Sequence, residues 1–332
     1  MTARRWLFAG LLLVVAVAAG TGFWLSSLHR DFTAPGMLQA PRIVLLARGT
    51  SLRGAAAMLE REGVVDDAQR FYWAARFFGG RAPVIAGEYA VPAHASMAQA
   101  LGILQSGAVV QHRFTVPEGA TVADVLVRLR AEPLLSGAIA QSPPEGSLLP
   151  ETYFFARGDA RQDLIARMQA AMEESLAAAW AARRADLPLQ SPREAVILAS
   201  IVERETAIPA ERARIAAVFL NRLKRGMRLQ SDPTVIYGLA GGRLDRPLTR
   251  RDLEKATPYN TYQIDGLPPT PIANPGRDSL VAVLNPLDSD ELYFVADGAG
   301  GHVFAHSHRE HLRNVAKWRR IQSTRQQQEK TP

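Results

Sequence analysis

The chain has no cysteine in its 332 residues, which excludes disulfides, thiolate metal sites and thiol nucleophiles together. That absence is silent about compartment, because a disulfide-free protein is viable on either side of a membrane. Lysine is nearly missing: it stands only at Lys224, Lys255, Lys317 and Lys330, so the formal charge of +7 comes almost wholly from arginine. A Schiff-base enzyme has few amines to draw on here. Histidine is sparse, and His302, His306, His308 and His311 crowd into one stretch, "GGHVFAHSHREH". That stretch reads as a strand or loop leading into a helix start, not as a metal cage. No dense cluster of His, Asp and Glu occurs elsewhere, so neither a metal nor a cofactor is expected. With 47% hydrophobic and 21% charged residues the composition is that of an ordered globular protein, long enough for two modest domains.

What is present begins with an apolar run. "WLFAGLLLVVAVAAGTGFWL", from Trp6 to Leu25, carries no charge, and twenty helical residues span a hydrocarbon core. Arg4 and Arg5 precede it, tryptophans mark both ends and no small-residue cleavage signature follows, so it reads as a retained signal anchor with a cytoplasmic N-terminus. A cleaved signal peptide is the alternative. Everything beyond about residue 30 is then expected outside the cytoplasm, away from nucleotide cofactors and nucleic acid. From His302 onward seven basic residues face two acidic ones, which fits a solvated helix face and a frayed tail.

Residues 30 to 42, "RDFTAPGMLQAPR", read as a linker. A pattern then recurs in "GTSLRGAAAML", "AHASMAQALGIL" and "GATVADVLVRL": Ser51, Ser96 and Thr121 each stand just before an apolar residue that opens a helical period. Such hydroxyls cap helix N-termini. With the β-type runs "RIVLLA" and "HRFTVPEG", the region to about residue 150 is expected to be a small α+β module without a catalytic constellation. "PPEGSLLPETYFFARGD" interrupts it with three prolines and two glycines, and an alanine-rich helix follows over about 160–185.

The segment "SPREAVILASIVERETAIPAER" carries the chemistry. Ser191-Pro192-Arg193-Glu194 has the form of a capping box with proline at the first helical position, and Ile208 before Pro209 marks the end. Leu198, Ile201 and Val202 form an i, i+3, i+4 stripe whose next member is Glu205, whereas Glu203 is expected to point elsewhere with Val196, Ala199 and Ser200. A carboxyl on the interior face is desolvated, its pKa rises toward neutrality, and it becomes a general acid. The alternative is that Glu205 caps the following helix or pairs with Arg212 or Arg214. Downstream, "MRLQSDPTVIYGL" and "PYNTYQIDGLPPTPIANPG" display tyrosines and amides on turns, a composition suited to sugar hydroxyls and ring faces.

Together with "EGSLLPETY" (145–153), "ILASIVERET" (197–206), "NRLKRGMRLQSDPTVIYGL" (221–239), "PYNTYQIDGLPPTPIANPG" (258–276) and "LYFVADGAGGHVFAHSHREH" (292–311), these features give a resemblance over nearly the whole chain. It resembles the YceG-like family of membrane-anchored endolytic murein transglycosylases. Ser147-Leu148-Leu149 departs from the family's more aromatic pattern. The resemblance implies an α+β protein with a cytoplasmic tail at 1–5, a transmembrane signal anchor at 6–28 and a linker at 29–42. A LysM-like module at 43–110 and a connecting segment at 111–155 come next, then a lysozyme/transglycosylase-like catalytic domain at 156–320 and a disordered basic tail at 321–332. It implies a catalytic glutamate at Glu205, followed by Thr206, and substrate contacts from Thr206, Gln230, Asp232, Tyr237, Tyr259, Asn260, Tyr262 and Asn274. The implied partners are peptidoglycan strands, the inner membrane and peptidoglycan synthases, with no nucleic acid. A glycan-binding scaffold that does not cut is the first competing class. A pyridoxal-phosphate lyase using Lys224 or Lys255 is the second.

Overall fold

The computed structural model describes residues 2–329 and divides into two units. The first comprises residues 1–112 with 155–158, the second 113–154 with 159–332. Among the described residues, helices are mixed with three two-stranded sheets.

The first unit opens with α1 (Thr2–Thr33), whose apolar stretch is exposed along its length. The helix does not give way to a linker at residue 29. Leu28 and Phe32 are buried in the core of this unit, and that packing carries the helix to Thr33, through the first residues of the expected linker. Strand β1 (Arg42–Leu46) pairs antiparallel with β2 (Gly87–Val91), Arg42 opposite Val91 and Leu46 opposite Gly87. Between them lie α2 (Leu52–Arg61) and α3 (Ala68–Phe78), and α4 (Met97–Ser106) follows. Ser51 caps α2 by accepting from the Gly54 N–H, and Ser96 closes a reciprocal box with Gln99 at the start of α4. Burial of Val44, Leu59, Phe71, Tyr89, Leu101 and Leu104 makes one core from this β-α-α-β-α arrangement.

The second unit takes up most of the segment expected to be a connector. Strand β3 (Gln111–Thr115) pairs with β4 (Thr152–Ala156), and the chain crosses between units within these two strands. Between them α5 (Val122–Ala131) starts at Thr121, again in a reciprocal capping box, with Asp124. Then come α6 (Arg161–Ala181), α7 (Pro192–Glu205), α8 (Pro209–Lys224), α9 (Asp232–Ala240), α10 (Arg250–Glu254) and α11 (Arg277–Leu284). A hairpin of β5 (Tyr293–Ala296) and β6 (His302–Ala305) leads into α12 (His308–Glu329). The tail expected over 321–332 is helical as far as Glu329, and its last three residues lie outside the described ones.

Helix α7 is the centre of this unit. Every residue from Ala195 to Glu203 is buried, because α6, α8, α9 and α11 surround it. A helix enclosed on all sides has no polar face for periodicity to mark. Its N-terminus follows the sequence reading with one shift. Ser191 accepts from the Glu194 N–H, but Glu194 accepts from the Gln190 N–H instead of returning a bond to Ser191. Its C-terminus is set by Thr206, which is extended, and by Pro209, which opens α8.

Candidate active site

Glu205 is the last residue of α7. It is partly buried at the edge of a cavity of about 310 Å³ lined by Glu118, Gly119, Glu203, Arg204, Glu205, Thr206, Ala207 and Arg212. Burial pushes its carboxyl up to about 7. A hydrogen bond from the Ser231 hydroxyl, 2.9 Å from Oε2, works against this rise, the negative charge of Asp232 adds to it, and Arg222 lowers it. A carboxyl with that affinity is protonated in a large share of molecules in near-neutral water and can give the proton up when a stronger base forms beside it. Arg212 and Arg214 do not pair with it. Arg212 bonds Glu203, Glu118 and Asp278, and Arg214 bonds Glu291.

The partner Ser231 is held with care. It stands at the N-cap of α9, where a serine hydroxyl ordinarily accepts from the first turn, but it makes no such bond and donates to Glu205 instead. Its backbone is pinned from below by buried hydroxyls. The Ser231 N–H donates to Thr261 Oγ1 at 3.0 Å, Thr234 Oγ1 donates to the Ser231 carbonyl at 2.6 Å, and the two threonine hydroxyls meet at 2.8 Å. Gln230, just before it, has φ of 51°, a left-handed conformation that costs a non-glycine residue about 1 kcal/mol or more. Arg222 holds this bend: its buried guanidinium donates to the Leu229 and Leu292 carbonyls at 2.7 and 2.6 Å. Desolvation lowers its pKa, yet with no carboxylate bonded to it the charge is satisfied by carbonyls.

Glu203 does a different job, and its position corrects the periodicity reading. It is more deeply buried than Glu205, 3.1 Å from Arg212 and accepting the Gly276 N–H at 2.8 Å. Burial opposes the Arg212 charge, but the carboxylates of Glu203, Glu118 and Asp278 outweigh it and raise the arginine's pKa. Glu203 is thus an acceptor locked in an ion-pair network that ties α7, α8 and the Gly276 turn together.

The other sequence candidates fall into three groups. Asp232 and Tyr262 gather on the Glu205 side, with Tyr262 donating to Asp232 Oδ1 at 2.7 Å, while Gln230 accepts from Arg222 at 3.5 Å. Tyr237 and Tyr259 stand edge to face, ring centres 4.9 Å apart, with Tyr237 donating to Glu145 and Tyr259 meeting Thr270. Thr206, Asn260 and Asn274 are buried and committed to the protein. The Thr206 hydroxyl accepts from the Ile208 N–H and donates to Glu211. The Asn260 amide donates to the Leu253 and Lys255 carbonyls. That of Asn274 donates to Ala120 and accepts from Leu148. Both asparagines are fully enclosed, so the amides expected on sugar hydroxyls instead satisfy loop backbone. The C-terminal histidines take different partners: His302 bonds Glu211, His306 bonds Asp290, and His308 and His311 both pack on the Tyr293 ring.

Sequence reasoning passed over Ser231, Glu118, Arg204 and Glu145. Arg204 reaches the Gly119 and Gly242 carbonyls at 3.2 and 3.0 Å and so fixes two loops at the cavity. Glu145 accepts from the Val122 N–H and from Tyr237, and burial raises its pKa. A hydroxyl residue at a helix start is a cap by default, and only the missing cap bond reveals what Ser231 serves.

The sequence model of the YceG-like family matches residues 44–317, which include the whole site. The chain belongs to the YceG-like family. Among relatives of this family member, the endolytic murein transglycosylase of Bacillus subtilis (strain 168) is 41% identical over 181 residues, 54% of this chain and 49% of that protein. The endolytic murein transglycosylase of Streptococcus pneumoniae serotype 2 (strain D39) is 29% identical over 320 residues, covering 82% of this chain and 57% of that one. The chain therefore spans about half the length of these curated relatives. A 2.6 Å crystal structure of a YceG-like protein from Listeria monocytogenes matches with a TM-score of 0.53 and 29% identity, covering 82% of this chain and 98% of the other.

Proposed function

We propose that this YceG-like protein is a membrane-anchored endolytic murein transglycosylase in which Glu205 is the single catalytic acid and base. The observation that carries the reading is a carboxyl raised to about 7, held by Ser231 at the edge of an open cavity. The names of its relatives supply the substrate class, murein.

In this mechanism neutral Glu205 protonates the oxygen joining N-acetylmuramic acid to N-acetylglucosamine, and the C1–O bond breaks. The muramic C6 hydroxyl attacks C1 and passes its proton to the Glu205 carboxylate, which closes a 1,6-anhydro ring and restores the acid. No water is consumed, so one carboxyl suffices where a hydrolase needs two. Ser231 orients the carboxyl in both half-reactions, and Gln230, Asp232 and Tyr262 contact the glycan beside it. Tyr237 and Tyr259 offer a second aromatic platform for the strand.

The remaining parts of the reading follow the same line. The β-α-α-β arrangement of β1, α2, α3 and β2 has the order of a LysM-like module, and the second unit, residues 113–154 with 159–320, is read as the lysozyme-like catalytic part. Helix α1 is the anchor, long and apolar enough to cross a membrane, with the rest of the chain periplasmic. Nascent strands emerging near that membrane are the substrate, and a synthase is the natural neighbour.

The test is product analysis. Purified full-length protein incubated with isolated sacculi releases fragments ending in anhydro-muramic acid, seen by mass spectrometry, and Glu205→Gln releases none while keeping its circular dichroism. Equal release by the variant refutes the assignment. Binding without any release favours the scaffold reading.

A further inference from the structure

Helix α3 carries the sequence "RFYWAARFF" between Arg70 and Phe78, and one side of it is left uncovered. Trp73 and Phe77 are 42 and 53% exposed across the helix from buried Phe71, Ala74 and Ala75, and Phe78, at the last turn on that buried side, is still 36% exposed. Large aromatics grouped in the open are a contact surface in search of a partner. Their neighbour identifies it. The ring of Trp24, on α1, meets Phe77 edge-on at 6.0 Å, Phe78 packs on His29 and Phe32, and Trp73 stacks on Phe77.

The pairing has a direction. Asp31 of α1 bonds Arg70 at 2.6 Å, while Trp24 lies against Phe77, so seven residues of one helix run antiparallel to seven of the other. At 1.5 Å per residue that overlap is about 10 Å. Its far end, Trp24, belongs to the uncharged run from Trp6 to Leu25. The C-terminal end of α3 therefore descends to the level at which the apolar run ends. Arg76, exposed between Trp73 and Phe77 in sequence, and the exposed Arg81 three residues after Phe78 supply the positive charge that favours an anionic headgroup layer.

We infer that Trp73, Phe77 and Phe78 lie in the bilayer interface beside Trp24, so that this unit rests on the lipid surface through α3 as well as hanging from α1. The inference rests on the reading of α1 as a membrane anchor. A lipid contact at two points fixes the tilt of the unit on the membrane, which one flexible tether does not.

The absence of cysteine makes the test clean. Full-length protein is made with single replacements Gln69→Cys, Trp73→Cys, Phe77→Cys or Leu13→Cys, and each is tagged with a nitroxide. The proteins are reconstituted in vesicles of phosphatidylethanolamine and phosphatidylglycerol, and collision with oxygen is compared with collision with a water-soluble nickel chelate. Gln69, exposed and two turns upstream of Phe77, reports water. The oxygen-to-nickel ratio rises severalfold from position 69 through 73 to 77, and position 13 gives the highest value. A lipid-like position 13 with equal, water-like values at 69, 73 and 77 overturns the inference and leaves the anchor standing. A water-like position 13 removes the anchor reading and the inference with it. Spin–spin broadening at 77, with low access to both reagents, means that a second copy covers the patch and also overturns the proposal.

Discussion

Replacing Glu205 by Gln should stabilise the protein, increasingly as pH rises from about 4.5 to 7 and in full above that. The folded-state carboxyl is raised from 4.5 to about 7, so the fold holds that proton more tightly than the unfolded chain does. Between those two values the folded state binds the extra proton, and stability falls as pH rises through the window. Above about 7 the full penalty of an ionised, poorly solvated carboxylate applies. A rise of that size corresponds to about 3 kcal/mol at 1.36 kcal/mol for each pKa step, and water at the cavity mouth trims this to about 2 kcal/mol. Glutamine never ionises and still accepts the Ser231 hydrogen bond. Thermal unfolding in detergent, followed by tryptophan fluorescence at pH 4.5 and at pH 8.5, reads the difference. The variant and the wild type melt together at pH 4.5, and the variant melts about 4–8 °C higher at pH 8.5. An equal shift at both pH values, or a loss at pH 8.5, refutes the idea that burial keeps Glu205 neutral.

Other perturbations separate the parts of the site. In the proposed mechanism cleavage needs protonated Glu205, so the rate falls as pH passes about 7; Ser231→Ala removes a bond that lowers the pKa, and that limb moves to higher pH while the rate drops roughly tenfold. Asp232→Asn removes a neighbouring negative charge and moves the same limb to lower pH, read from initial rates on purified glycan strands. Glu203→Gln leaves the limb where it is but costs about 3 kcal/mol in stability, read from the denaturation midpoint, because buried Arg212 loses its most enclosed partner. Gly146→Ala also destabilises the fold: Gly146 has φ of 79°, and an added methyl would lie 2.6 Å from Pro271, so its melting temperature falls without a change in pH dependence.

The sequence disclosed what local chemistry decides. Ser51, Ser96 and Thr121 cap the helices their spacing announces, and Pro192 and Pro209 bound α7 because proline acts on its immediate neighbours. The inward setting of Glu205 is legible in the sequence for a partly fortuitous reason. An apolar stripe marks one face of a helix that has a solvent side, yet α7 is buried at every residue from Ala195 to Glu203, so periodicity cannot place Glu203. What rescues a buried Glu203 is Arg212 on the next helix and the Gly276 N–H 73 residues away, and no local pattern announces such partners. Asn260 and Asn274 misled for a related reason. Amides in proline-rich loops look like sugar ligands, but proline-rich loops also carry backbone carbonyls that need donors. The exposed aromatics of α3 were visible as letters, and only their contact with Trp24 gives them a direction.

The central claim is that a neutral carboxyl at position 205 cuts murein strands using the sugar's own hydroxyl. The most direct measurement is digestion of purified peptidoglycan in ¹⁸O-enriched water by the wild type and by Glu205→Gln, with the fragment ends weighed by mass spectrometry. The account predicts unlabelled anhydro ends from the wild type and no fragments from the variant. Labelled reducing ends, or equal yields from the two proteins, would contradict it.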